Sequence, residues 1–116
     1  AGIVMRLLVA LLLMTTVAQA AERKLSGAQI AALLPTVVAT GKDTRQTFSK
    51  AGATTYAFKG RDSYGNWRVQ GDQYCSQWPP ADGWACFGLL ADDEAKTIIW
   101  LDSSGDRIGN QITAKE

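Results

Sequence analysis

From Thr36 onward the chain is cut at short, even intervals by turns carrying glycine, aspartate or proline, and this spacing restricts the fold more than any other feature. The turn signals are Gly41-Lys42-Asp43, Lys50-Ala51-Gly52, Gly60-Arg61-Asp62-Ser63, Gly71-Asp72, Pro79 to Gly83, Ala91 to Glu94, and Ser103-Ser104-Gly105-Asp106. The stretches between them are rich in Thr, Val, Tyr, Phe, Trp and Ile, which suit an extended, half-buried backbone. Strands are therefore expected near 36–40, 45–49, 54–59, 65–70, 73–78, 84–90, 97–102 and 108–114. A parallel crossover needs a connection of about a dozen residues or more, and none of these turns is that long, so neighbouring strands must run antiparallel. Seven or eight strands in an open meander would expose a long edge of unpaired peptide groups; closing the sheet removes it. The expected fold is mainly β: a short N-terminal helix followed by an antiparallel meander of seven or eight strands forming a small closed barrel.

The helix is marked by Leu25-Ser26-Gly27-Ala28-Gln29-Ile30. Ser26 is the expected N-cap, Gln29 completes a capping box, and Leu25 and Ile30 occupy the positions of a hydrophobic staple. Ala31 to Leu34 extend the helix and Pro35 stops it. Ile30, Leu33 and Leu34 share one face, so the helix should dock against the sheet, plugging one end of the barrel or covering a seam.

The stretch Trp67 to Trp84 holds three of the four tryptophans and one of the two cysteines. With Gly71-Asp72 as a two-residue turn, Gln70 faces Gln73, Val69 faces Tyr74 and Arg68 faces Cys75. Alternation then directs Trp67, Val69 and Tyr74 to one face and Arg68 and Cys75 to the other. If Cys75 lies opposite Cys86 on the next strand, Tyr74 falls opposite Phe87 and joins the apolar face. A one-residue slip would carry Arg68 into the core. The two cysteines are each other's only possible intrachain partners, and the short loop between them implies stabilisation of about 2–3 kcal/mol from the Cys75–Cys86 disulfide.

Beyond Cys75 lies Trp78-Pro79-Pro80-Ala81-Asp82-Gly83-Trp84, stiffened by two prolines and closed at its base by the cystine. Aromatic rings on a rigid loop lose little entropy when they grip a partner, which makes Trp78, Pro79, Pro80, Trp84 and the nearby Arg68 the candidate binding residues. The competing reading is that Trp78 and Trp84 pack on each other and on the cystine as a small satellite core. Tyr56, Tyr64 and Tyr74 could line a ligand cavity, although at alternating strand positions they could equally serve the core or the surface.

Met5-Arg6, the apolar run Leu7 to Val17 and the triplet Ala18-Gln19-Ala20 have the layout of a secretory signal peptide cut after Ala20. The alternative is a retained N-terminal membrane anchor, because the apolar stretch approaches the length of a spanning helix. Residues 21–116 would then form a single periplasmic β domain, where a disulfide is expected to persist. Without Arg6, eleven of the twelve Lys and Arg remain against eleven Asp and Glu, so this portion is electrically balanced. Nothing in that balance points to nucleic acid or to an anionic membrane surface.

Catalytic chemistry finds little support. The chain contains no histidine, which excludes a His-based triad, a zincin site and a His-ligated haem. Cys75 and Cys86 do not form a C-x-x-C pair. Asp92-Asp93-Glu94 and Asp102 to Asp106 lack the spacing of a calcium loop and read as solvated turn carboxylates. No metal, cofactor or catalytic residue is expected.

The residues Gly65-Asn66-Trp67-Arg68-Val69-Gln70-Gly71-Asp72-Gln73-Tyr74-Cys75, followed by Trp78 and Trp84-Ala85-Cys86-Phe87, resemble small exported alphaproteobacterial proteins of unknown function. These carry a G-x-W-x-V-x-G-D-x-Y-C hairpin after an L-[ST]-x-x-[EQ]-I-x-x-L-L helix, here Leu25 to Leu34. Gln29 stands where many of them have an acidic residue and can fill the same capping role. The resemblance implies a periplasmic β domain and transfers no catalytic residue. The expected function is a non-enzymatic periplasmic binding or interaction module for a protein partner or small ligand. The alternative is an accessory subunit of an inner-membrane complex, with a membrane contact only if residues 1–20 are retained.

Overall fold

The computed structural model describes residues 21–116, and the expected leader, residues 1–20, lies outside the described residues. The strands are β1 (Glu22–Lys24), β2 (Val37–Gly41), β3 (Thr44–Phe48), β4 (Ala53–Phe58), β5 (Arg61–Gln70), β6 (Gln73–Gln77), β7 (Ala85–Asp92), β8 (Thr97–Leu101) and β9 (Arg107–Ala114). From β2 to β9 each strand pairs antiparallel with the next, and β9 returns to β2 through Val37↔Ala114 to Thr40↔Gln111. The result is a closed eight-stranded up-and-down barrel in which each of these strands has a neighbour on both sides.

The hairpin register follows from the turns. Gly71-Asp72 joins β5 to β6, with Val69 opposite Tyr74, Arg68 opposite Cys75 and Cys75 opposite Cys86 on β7. The Cys75–Cys86 disulfide is formed. One turn is tighter than the sequence suggests. Lys59 and Gly60 both take positive φ (52° and 81°), the conformation of a two-residue hairpin turn, so β5 resumes at Arg61 and not near 65. Arg61, Asp62 and Ser63, which read as turn residues, are therefore paired strand.

Helix α1 (Gly27–Leu33) starts as its capping box predicts: the Gln29 N–H donates to Ser26 Oγ (3.2 Å) and the Ser26 N–H to Gln29 Oε1 (2.8 Å). A second cap comes from the barrel, where the Gly27 N–H donates to Asp72 Oδ1 at 2.7 Å. Gly27 fits here because it has no side chain; a Cβ would lie 2.1 Å from the Gly71 carbonyl oxygen. The helix tightens into a 3-10 turn over Leu34–Thr36, with Pro35 inside it, before β2 begins.

Leu25, Ile30 and Leu34 enter one end of the barrel and join Phe48, Trp67, Tyr74, Leu89, Ile98 and Trp100 in a single core. Phe48 is fully buried, with ring centroids 5.8 Å from Trp67, 5.7 Å from Tyr74 and 6.0 Å from Trp100. Burial of a ring of this size is worth roughly 2–3 kcal/mol by area, and the edge-to-face contacts add to it.

Strand β1 was not expected. All three of its residues are exposed and show no alternation, so it carries no sequence signal of its own. It forms because β7 outruns β6: β6 pairs with Ala85 to Phe87, and β1 takes the vacant edge at Leu90 to Asp92. Arg23 holds both oxygens of Asp93 (3.0 and 3.1 Å), and Arg107 reaches Glu22 (2.6 Å).

The acidic turns are built by their own carboxylates. Asp92 Oδ1 accepts from the N–H groups of Glu94 and Ala95, and Asp102 Oδ1 from those of Ser104 and Asp106. Asp92 is buried in this role, so only part of the cluster is solvated.

Candidate functional site

Alternation of hairpins puts the connections at 49–52, 71–72 and 93–96 at the end that the helix fills. The turns at 42–43 and 59–60, the 78–84 loop and the 102–106 turn surround the other end. There the barrel interior opens as a cup of about 470 Å³. That is within the range of small-molecule sites, and an eight-stranded barrel is just wide enough to hold one small ligand.

The cup has two unlike walls over an aromatic floor. Tyr74 and Trp100, with centroids 4.9 Å apart, form the floor and belong to the core beneath it. Tyr56, Trp78 and Phe87 line one side. The other side is formed by Ala39, Gly41, Thr44, Ile108 and Asn110, with the backbone of Gly109. Gly41 makes room for its neighbours: a Cβ there would lie 2.7 Å from Thr44 Oγ1 and 2.8 Å from Asn110 Nδ2.

The polar groups in the cup are neutral and held in place. Gln46 Nε2 donates to Thr54 Oγ1 (3.0 Å) and Tyr74 OH (3.3 Å), and Thr54 Oγ1 donates to the Thr47 carbonyl (2.8 Å). Asn110 accepts from Trp100 Nε1 (2.7 Å) and donates to the Thr40 carbonyl (3.2 Å). Burial pushes the Tyr74 phenol above its ordinary pKa of 10.0, while hydrogen bonds with Ser76 and Gln46 pull it partly back. Tyr74 therefore presents a neutral hydroxyl at neutral pH. Among the described residues lining the cup, Lys42 alone carries a charge, and it stands at the exposed rim.

The stapled loop supplies Trp78. Gln77 Nε2 donates to the Asp82 carbonyl (2.9 Å), and the Ala81 N–H to that of Trp78 (3.1 Å), closing the loop on itself. The Trp78 indole meets Tyr56 edge to face at 6.2 Å and donates from Nε1 to Ser76 Oγ at 3.2 Å. It lies over Gly65, where a Cβ would stand 2.6 Å from Cε3. Trp78 and Pro79 also line a second cleft with Tyr56, Ser63 and Tyr64.

The structure separates the sequence-derived candidates. Strand alternation turns Trp78 toward the cup and Trp84 to the outer wall, so the two indoles serve different faces. Trp84 lies under the Arg68 guanidinium, 3.9 Å from the ring centroid, on the face that carries the cystine. Cys75 faces outward in the pleat yet is fully buried. Pro80 is exposed on the loop. Tyr56 and Tyr74 do line a cavity, whereas Tyr64 is 68% exposed.

Sequence reasoning missed Lys42, Gln46, Ser76, Trp100 and Asn110. The nearest signal was in β3, where Thr44, Gln46 and Phe48 share a face that changes from polar to apolar toward the plugged end. That gradient becomes a cup only once the barrel closes around it. Comparison of the chain with protein-family models, curated proteins and solved structures finds no match in any of the three.

Proposed function

We propose that this protein is a non-enzymatic binding module of an oxidising, exported compartment, and that its open barrel end takes a small ring-bearing molecule against Trp78 of the stapled loop. The observation that carries this reading is the asymmetry of the barrel: one end is filled by the helix and a continuous core, while the other keeps a cavity of about 470 Å³ beside an aromatic wall. Rigid rings with a few fixed hydrogen-bonding groups are the usual furnishing of a small-molecule site. Binding is favoured over catalysis because the described lining residues offer amides, hydroxyls, indoles and the exposed rim amine of Lys42, with no hydrogen-bonded nucleophile and base pair among them. Export is supported by the Cys75–Cys86 disulfide and by the layout of residues 1–20.

Uptake of the flat fluorophore 1-aminoanthracene tests the reading. The wild-type protein should bind it with a blue-shifted, enhanced emission. Trp78→Ala, which removes the wall, and Ile108→Trp, which fills the mouth from a half-exposed position, should both weaken binding at least about fivefold while circular dichroism stays unchanged. No uptake by the wild type, or equal uptake by all three proteins, would exclude the cup as the site. Loss of uptake on Trp84→Ala alone would move the binding surface to the outer wall.

A further inference from the structure

We infer that the ligand is a planar aromatic monoanion, a fused-ring carboxylate in the simplest form, seated with its ring on the Trp78 side and its carboxylate at Lys42. This inference rests on the cup being a ligand site. Three observations give it the chemistry. The first is shape: Tyr56, Trp78 and Phe87 stand on one side of the cup and Tyr74 and Trp100 on its floor, and flat ring faces of this kind stack a planar molecule better than a branched one. The second is charge. Among the described residues no acidic side chain lines the cup, and the one charged lining residue is the cation Lys42, on the β2–β3 turn at the rim. A carboxylate there keeps partial contact with water while meeting the ammonium, so it avoids the desolvation that a deeper charge would suffer. Within the lining a cation would meet Lys42 and no carboxylate; Asp43, Asp82, Asp102 and Asp106 belong to the surrounding turns but do not line the cup.

The third observation concerns depth. Tyr74, Gln46, Ser76 and Asn110 are already tied to one another or to the barrel wall, and none is a buried polar atom without a partner. The floor therefore asks for an apolar ring edge with at most a neutral heteroatom. An ionised group placed there would have no compensating charge. The charged group of the lining thus stands at the rim above neutral, partnered groups, and a bound molecule should match it: ring inward, single negative charge outward.

The test uses three isosteric probes on the oxidised protein: 2-naphthoate, the neutral 2-naphthamide and the cation 2-naphthylmethylammonium. Binding is read from the tryptophan indole N–H signals in proton–nitrogen correlation spectra, with Trp78 assigned by Trp78→Phe. The naphthoate should bind about fivefold more tightly than the amide, the size expected for one partly exposed charge pair, and the ammonium more weakly than either. Lys42→Gln should bring naphthoate and amide to equal affinity without changing the amide, and added salt should narrow the wild-type difference. Equal binding of naphthoate and amide by the wild type would overturn the assignment of charge while leaving the cup as a ligand site. Failure of all three probes at about 1 mM would overturn both.

Discussion

Reducing the bond between Cys75 and Cys86 should cost this barrel a large share of its stability. The bond closes a loop of eleven residues, and in the chain-entropy account a loop of that length restricts the unfolded chain by about 2.8 kcal/mol near room temperature. Little in the folded state should offset the loss, because the β6–β7 register is also fixed by Tyr74 opposite Phe87 and Ser76 opposite Ala85. With a urea dependence of about 1–1.5 kcal/mol per molar for a domain of this size, the midpoint should fall by about 2 M. The assay is a pair of urea titrations by tryptophan fluorescence, one on oxidised protein and one on protein unfolded and refolded in reductant. Unfolding in reductant ensures complete reduction, since Cys75 is fully buried and Cys86 half-buried in the folded barrel. A shift below about 0.7 M would refute the reasoning, since it would mean that the reduced unfolded chain already keeps this loop closed.

Three further outcomes follow from packing and burial. Gly27→Ala should destabilise by about 1–3 kcal/mol in thermal or urea unfolding, although the same change in an ordinary helix stabilises, because its Cβ would meet the Gly71 carbonyl at 2.1 Å; a gain in stability would show that the helix is not seated on that turn. Gly65→Ala should displace the Trp78 indole, shifting its N–H resonance and weakening 1-aminoanthracene uptake, and an unmoved resonance would contradict the stacking of Trp78 over this glycine. Tyr74 is held neutral by burial, so its pKa is raised on folding and its stabilisation is complete below the unfolded value near 10.0, then declines as pH rises toward the folded value. Urea midpoints measured from pH 9 upward should therefore fall more steeply for the wild type than for Tyr74→Phe, and parallel slopes would argue that the phenol is solvated.

Much of the scaffold was legible because its determinants are local. The Ser26–Gln29 capping box lies within a few residues, and the Gly71-Asp72 turn fixes the β5–β6 register by counting alone. Pairing Cys75 with Cys86 as a cystine then carries Tyr74 opposite Phe87, and the structure has this register. The misreadings arose where a local signal was weak or shared. Arg61 to Ser63 look like turn residues, but the two-residue turn at Lys59-Gly60 leaves them in the sheet. Asp92 looks like a solvated carboxylate, but it is buried beneath the turn it organises. β1 exists only because another strand leaves an edge free.

What the sequence by itself determined is the antiparallel meander, the staple and the start of the helix, because turn geometry and side-chain alternation act over a few residues and leave one consistent register. Tertiary structure alone decided which end of the barrel is filled. That depends on β9 returning to β2 and on Gly27 meeting the Gly71-Asp72 turn, contacts between residues far apart in the chain. It also split Trp78 from Trp84 and gathered Lys42, Gln46, Ser76 and Asn110 around one cavity. The physical reason is curvature: alternation assigns residues to two faces of a ribbon, but only closure makes one face an interior, and the helix fills that interior from one end alone.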